Sequence, residues 1–326
     1  MNIIAVDWGK NTLKRSAYRA ELATRAISRL EFDGSLAHLV EYASTLEPPV
    51  LIGIDAAIGF PRSAWPKLVG NEADPLLTFV DYLLHAQLPD HFFDPVQEPD
   101  EWSPRRPFIR PPPGPWSLTA FIEASNQGLY RQIDQLLKGN PIFVTSGIPG
   151  SVGSGTRALW QELIALDARS AFRVWPFHGS LDRLLQAGKL VIAEMYPKAC
   201  YGIALAGSLP SPLLSLAKTR QSAREDGIRQ LQQASWVATQ NISIQNSEHA
   251  ISNEDDFDAL ISAAALLRLF LEKAPRECLE PADLTVEGGV LGSASISPAE
   301  RKIPRSRPSG PCGKLGYSQS AADEPT

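Results

Sequence analysis

Three short apolar runs in this sequence each stop on an acid, and that recurrence constrains the fold more than any other feature. Residues 2–6 (NIIAV) end at Asp7, residues 50–54 (VLIGI) at Asp55, and residues 190–193 (LVIA) at Glu194. Apolar runs of this length, rich in β-branched residues, read as buried strands. A carboxylate where a core strand stops is costly to desolvate unless a cation, a donor or water meets it. Taken singly, Asp7 before Trp8 and Gly9 reads equally well as a turn-initiating Asp. The recurrence favours a site at which strand ends converge.

Between the first two acids, residues 13–19 and 26–32 are further strand candidates joined by a short polar connection, an antiparallel meander. Gly34 and Ser35 open a helical pattern through Leu36, Leu39, Val40 and Ala43 that stops before Pro48 and Pro49. The order strand, strand, strand, helix, strand puts acids at the ends of the first and fourth strands. Residues 85–115 then hold nine prolines in thirty-one positions together with Arg105, Arg106 and Arg110. Such a segment is no core strand, and it predicts an insertion or lid over residues 85–140 within one domain of residues 1–295.

Helical spacing returns over residues 118–137, which carry Arg131 and Asp134, and residues 141–145 read as a strand. In residues 146–163 four glycines precede an amphipathic run. The stretch lacks the P-loop lysine and the acidic partner of a dinucleotide fingerprint. A tight turn and helix cap is the reading, with anion binding at helix amides as the alternative. Residues 173–177 form a strand candidate ending at His178, and Ser180 caps a short helix. Lys218, Arg220, Arg224 and Arg229 fall close together, as a solvated helix face or a phosphate contact.

The last helix, residues 255–273, has one apolar stripe through Phe257, Leu260, Ile261, Ala264, Leu267 and Leu271. Glu254, Asp255, Asp256 and Asp258 crowd its start. Acids there suit the helix dipole, but four in five residues exceed what a cap needs, and Asp255 and Asp258 share one side. Like charges so close repel unless a cation or a shifted protonation relieves them. Residues 283–293 suggest an edge strand, and residues 296–326, without apolar periodicity, a disordered tail.

A net charge of -5 and a pI near 5.6 exclude a protein that coats nucleic acid by bulk electrostatics. Three widely spaced cysteines suggest neither a disulfide framework nor a zinc site. The longest apolar stretch, residues 261–270, is interrupted by Arg268 and is too short to span a bilayer, and no signal peptide precedes the first strand. A cytoplasmic protein without a membrane partner is expected.

The runs IAVDWGKNT, GIDAAIGFP, RVWPFHG followed by AEMYPKACYG, and DDFDALISAAALLR resemble, in order and spacing, an uncharacterised bacterial family of predicted ribonuclease H-like nucleases, catalogued as a domain of unknown function. The similarity covers roughly residues 1–291. DWGKNT departs from the family, many of whose members have a second glycine-rich turn before a tryptophan. The resemblance implies an α/β ribonuclease H-like fold, a mixed five-stranded sheet flanked by helices, in which the acid ends of the first and fourth strands meet the start of a late helix. It implies a metal-dependent phosphodiester hydrolase with nucleic acid as the partner.

Such enzymes cluster carboxylates because cleavage uses two divalent cations about 3.5–4 Å apart. The expected ligands are Asp7, Asp55, Glu194 and Asp258, with Asp255 the alternate for the last place. Magnesium or manganese suits an all-oxygen set, whereas zinc would want His or Cys. Lys218 and Arg224 are expected to hold a phosphate or a flanking strand, and His178 is either an acid–base or a satisfied strand-end histidine. Two rivals share the superfold. One is an actin-like or sugar-kinase-type phosphotransferase reading DWGKNT as a phosphate turn; its second phosphate loop and glycine-rich adenosine motif are not evident, with Gly288, Gly289 and Gly292 the one place left for the latter. The other is a non-catalytic binding module.

Overall fold

The computed structural model of the 326-residue chain describes residues 1–70, 72–112, 117–126, 128–146, 151–166, 172–277 and 284–297. Its strands are β1 (Asn2–Asp7), β2 (Ser16–Glu21), β3 (Ala26–Leu30), β4 (Val50–Ile54), β5 (Arg173–Trp175), β6 (Leu190–Glu194) and β7 (Ser243–Ile244). They form one sheet in the order β5-β6-β4-β1-β2-β3-β7. The sheet is therefore mixed, as expected, but seven-stranded rather than five-stranded. The additions are the two edges. β7 pairs only through Ala26 and Ile27, and a strand of two residues is too short to leave a periodic signal. β2 runs antiparallel to β1 and to β3, while β4, β6 and β5 run parallel to β1. The acid-bearing ends of β1, β4 and β6 thus share one edge of the sheet.

Successive side chains alternate across a strand, so β1, β4 and β6 feed two apolar layers. Ile4, Val6, Ile52, Ile54 and Ile192 face one layer, which holds Phe60, Phe79, Phe143 and Trp160 and residues of α1 (Leu36–Ser44) and α2 (Gly153–Ala165). Ile3, Ala5, Leu51, Val191 and Ala193 face the other, under α3 (Pro197–Leu205), α4 (Gln221–Gln233) and α5 (Glu254–Leu271). The sequence shows α5 as a one-sided stripe, yet it is buried on every side from Asp256 to Leu269. Its alanines make this possible by letting neighbours approach closely. Each fully buried Leu, Ile or Phe there contributes about 1.5–3 kcal/mol.

The proline-rich segment lies in the long connection from β4 to β5, where Val96, Phe108 and Ile109 are fully buried in the aromatic layer. Val96 N donates to Phe108 O at 2.9 Å and Ile109 N to Phe143 O at 3.0 Å. The backbone that proline cannot pair is thus interleaved with neighbours that can, while Arg105 and Arg110 stay exposed. Residues 118–137 are two short helices, Ser117–Ala124 and Gln132–Leu136, and residues 141–145 contribute one bridge, Val144 to Ile109.

The predicted edge strand over residues 283–293 is a helical turn, Leu284–Glu287, followed by a single bridge from Val290 to Glu194. Past it, Ile296 is fully buried and bridged to Ser211, and Ser297 N donates to Ser211 O at 2.7 Å. Packing therefore continues two residues beyond the expected boundary at 295. Residues 298–326, expected as a disordered tail, lie outside the described residues, as do Cys278, Cys312 and residues 147–150 of the glycine stretch. No helix among the described residues is long and apolar enough to cross a membrane.

Truncating a fully buried isoleucine removes its transfer free energy and leaves a cavity. Ile296→Ala is expected to cost about 2–5 kcal/mol in urea denaturation. A change below about 0.5 kcal/mol would show that the contact with residue 211 is dispensable.

Candidate functional site

The site begins with strand register. Val6 pairs with Ile54 across β1 and β4, and Asp55 N donates to Val6 O at 3.0 Å. Asp7 and Asp55 therefore stand abreast at the strand ends, and alternation sends both toward the α5 face, with Ile3, Ala5 and Leu51. The turn after Asp7 is held from behind. The Arg15 guanidinium lies 3.5 Å over the Trp8 ring, donates from Nε to Gly9 O at 2.7 Å, and pairs with Glu162 of α2 at 2.7 Å. A Cβ at Gly155 would stand 2.8 Å from Trp8 O, so this glycine serves the close approach of α2 to the β1 turn.

The start of α5 supplies the third acid. Asn253 caps the helix, its Oδ1 accepting from Asp255 N at 2.7 Å and Asp256 N at 3.1 Å. Asp256 faces sideways and takes Arg29 Nε of β3 at 2.7 Å. Asp258, 1% exposed, faces inward toward Asp7 and Asp55. One of its oxygens accepts from the Tyr201 hydroxyl of α3 and the other from Lys218 Nζ. Asp255, half-buried, stands at the rim.

The electrostatics follow from this burial. Desolvation first, then the charges of Asp258 and Asp55, raise Asp7 well above the carboxylate range, against the pull of Lys218. The same causes, burial leading and Asp258 next, push Asp55 up to about 7. Asp258 is raised by burial, with Lys218 and Tyr201 opposing, and Asp255 by burial and then Glu254. Burial would lower Lys218, but Asp258, Asp7 and Asp55 outweigh it and hold the amine protonated. Tyr201 is raised by burial and by Asp258, so it stays a donor.

Glu194 does not join this group. Ile54 pairs with Glu194 across β4 and β6, so the glutamate is level with the residue before Asp55 and alternation turns it to the other face. There Arg131, fully buried, meets it at 2.6 and 2.7 Å, and Ile58 N donates to it at 2.7 Å. Arg131 also pairs with Asp134 at 2.7 Å and donates to Ile58 O and Glu287 O. Burial raises Glu194 and Arg131 pulls it back. The network pins the connection from β4 to the ends of β4 and β6.

The expected phosphate contacts divide. Lys218 is at the acids, but Arg224 is not free for a phosphate. Its Nε donates to Ile251 O at 2.8 Å, Nη1 to Lys218 O at 2.5 Å and Nη2 to Ser252 O at 3.1 Å. His178 accepts from Val174 N at 2.8 Å and stands 3.7 Å from Asp81, so it is the satisfied strand-end histidine. Gly288 lies at φ +70°, where a Cβ would be 2.2 Å from Ile58 O. It serves close packing of the segment before Val290. Sequence reasoning missed Tyr201, which lies about one helical turn after Pro197 at the start of α3, and the role of Arg131, visible only as an Arg–Asp pair at i,i+3.

Among the described residues no group of three or more His, Cys, Asp and Glu side chains is arranged to hold a metal ion. The donor chemistry nevertheless suits a hard cation, since Asp7 and Asp55 offer oxygen alone, while both oxygens of Asp258 are taken by Tyr201 and Lys218. The chain matches no protein-family model, no curated protein and no solved structure.

Two outcomes follow. Asp55 has a folded value near 7 against an ordinary 3.8, so the folded state keeps a proton that the unfolded chain releases. Its stabilising contribution is complete below about pH 4 and is lost as pH rises through about 7. Urea melts of chelator-treated protein should show stability falling over that window, with Asp55→Asn flattening the fall; a slope unchanged in the variant would assign it to other groups. On the opposite face, Arg131→Met strands Glu194 and Asp134 and is expected to cost about 3–5 kcal/mol in the same assay. A loss under about 1 kcal/mol would show that both acids find other partners or water.

Proposed function

We propose that this protein is a metal-dependent phosphodiester hydrolase of ribonuclease H-like fold, acting on nucleic acid. The observation that carries the reading is the convergence of Asp7, Asp55 and Asp258 from β1, β4 and the start of α5. The central strands β3-β2-β1-β4-β6, with only β2 reversed, support the fold assignment. The acid ends of the first and fourth strands meet a late helix, which is the arrangement the sequence resemblance implies. A scaffold would gain nothing from carboxylates gathered at a cost in desolvation and mutual repulsion.

In this reading Asp7 and Asp55 are the primary ligands of magnesium or manganese, with Asp258 adjoining and Asp255 at the rim. The ion, when bound, supplies an activated water and charge stabilisation at the phosphate. Asp258 orients the Lys218 ammonium toward the place where phosphate charge accumulates, and Tyr201 keeps Asp258 from turning away. Glu194 and Arg131 act from the other face as structural support for the Asp55 strand end.

Purified protein should cleave a single-stranded, duplex or hybrid substrate only with magnesium or manganese. Asp7→Asn nearly preserves shape while removing a ligand charge, so turnover should fall to background with the fold retained. Cleavage that survives in the variant would mark a contaminant. Inactivity of the wild type on every nucleic acid, with ATP-dependent transfer to a sugar lost in Asp7→Asn, would replace the hydrolase by the phosphotransferase.

A further inference from the structure

We propose that Lys218 is a fixed cation occupying the place of a second divalent ion, so that the site takes one divalent ion rather than two. The inference rests on the hydrolase reading and specifies its metal content. Asp258 is essentially inaccessible, and its two oxygens are met by two donors of the chain itself, the Tyr201 hydroxyl and the Lys218 ammonium. A divalent ion bridging Asp258 to Asp7 or Asp55 would have to expel that ammonium.

The lysine is held by its backbone as well as by its charge. It lies in the connection between α3 and α4, and Arg224, itself buried, fastens the Lys218 carbonyl at 2.5 Å while donating to Ile251 O and Ser252 O. Those carbonyls belong to the residues just before Asn253, the cap of α5. One guanidinium thus ties the start of the Asp258 helix to the loop that carries the lysine, and all three of its nitrogens are spent on main chain. A lysine recruited only by chance surface attraction would need no such fastening.

Charge balance points the same way. With a bound ion holding Asp7, Asp55 and Asp258 ionised, their three charges are matched by one ammonium and one divalent ion, whereas two divalent ions beside the ammonium would leave an excess of positive charge in a buried place. The side chain of Lys218 is 36% exposed, unlike the carboxylate that it meets, so the lysine reaches Asp258 from the solvent side. It can meet a phosphate oxygen there without leaving Asp258.

The test is manganese binding to the full chain, counted by calorimetry and by electron paramagnetic resonance of free manganese, on wild type, Lys218→Met and Lys218→Arg. One ion on the wild type and on Lys218→Arg, rising to two on Lys218→Met, is the expected result. Two ions on the wild type would overturn the inference and leave the hydrolase reading standing, and so would one ion on a folded Lys218→Met. A second readout needs no metal. In chelator, Lys218→Met should melt below the wild type and Lys218→Arg should recover most of the difference, because among the described residues no other cation contacts Asp258. Equal melting of all three would overturn the fixed-cation role. Failure of manganese to bind any of them, with the melting order as expected, would sink the hydrolase reading and the ion count while leaving the lysine as the counter-charge of Asp258.

Discussion

Everything at the working edge of this sheet depends on neutralising carboxylates that the fold has buried. Taking an ionised acid out of water costs several kcal/mol unless a partner charge and hydrogen bonds replace the lost hydration. The chain meets that cost twice, once on each face. On the α5 face Asp258 is met by Lys218 and Tyr201; on the other, Glu194 is met by Arg131 and Ile58 N. The two solutions differ in completeness. Arg131 is fully buried and saturates its acids with a planar fork, whereas Lys218 reaches in from solvent and leaves Asp7 and Asp55 with raised proton affinity.

That difference distinguishes the two faces. The Arg131 network joins the ends of β4 and β6 to Gln132–Leu136 and to the segment before Val290, so its loss would loosen the edge from which Asp55 projects. It offers no unspent carboxylate to a ligand. The Asp7 and Asp55 pair does. Its rigidity comes from behind, through Arg15 stacked on Trp8 and through α2 packed against the same turn. Two carboxylates of like charge are thus presented side by side at strand ends whose turn is held from behind.

Much of this was legible in the residues. The strands leading to Asp7 and Asp55, the antiparallel meander between them, the helix at Leu36–Ser44 and the acid-crowded start of α5 are all present, although the second strand runs Ser16–Glu21 rather than 13–19, because Thr12–Lys14 form a 3-10 turn that Asn11 caps, and the third stops at Leu30 rather than 32. These are local signals: β-branched runs, a Ser cap and an i,i+3 acid pair. What the residues did not show was of another kind. β7 is too short to carry a period, and the proline-rich segment, polar and irregular in sequence, delivers Val96, Phe108 and Ile109 to a core. The apolar positions that matter there have no common spacing, so only the neighbours they reach identify them as core.

Glu194 marks the boundary most clearly. In sequence it is equivalent to Asp7 and Asp55, an acid closing an apolar run. The pairing of Ile54 with Glu194 offsets it by one residue, and because strand side chains have a period of two, one residue is a change of face. Arg224 carries the same lesson among the cations, since its proximity to Lys218 in sequence hides that its three guanidinium nitrogens bind main-chain carbonyls. Residue type and local pattern determined that acids end the core strands and that a helix begins with them. Register and packing, which depend on residues far apart in the chain, decided which acids meet and which cation each one receives.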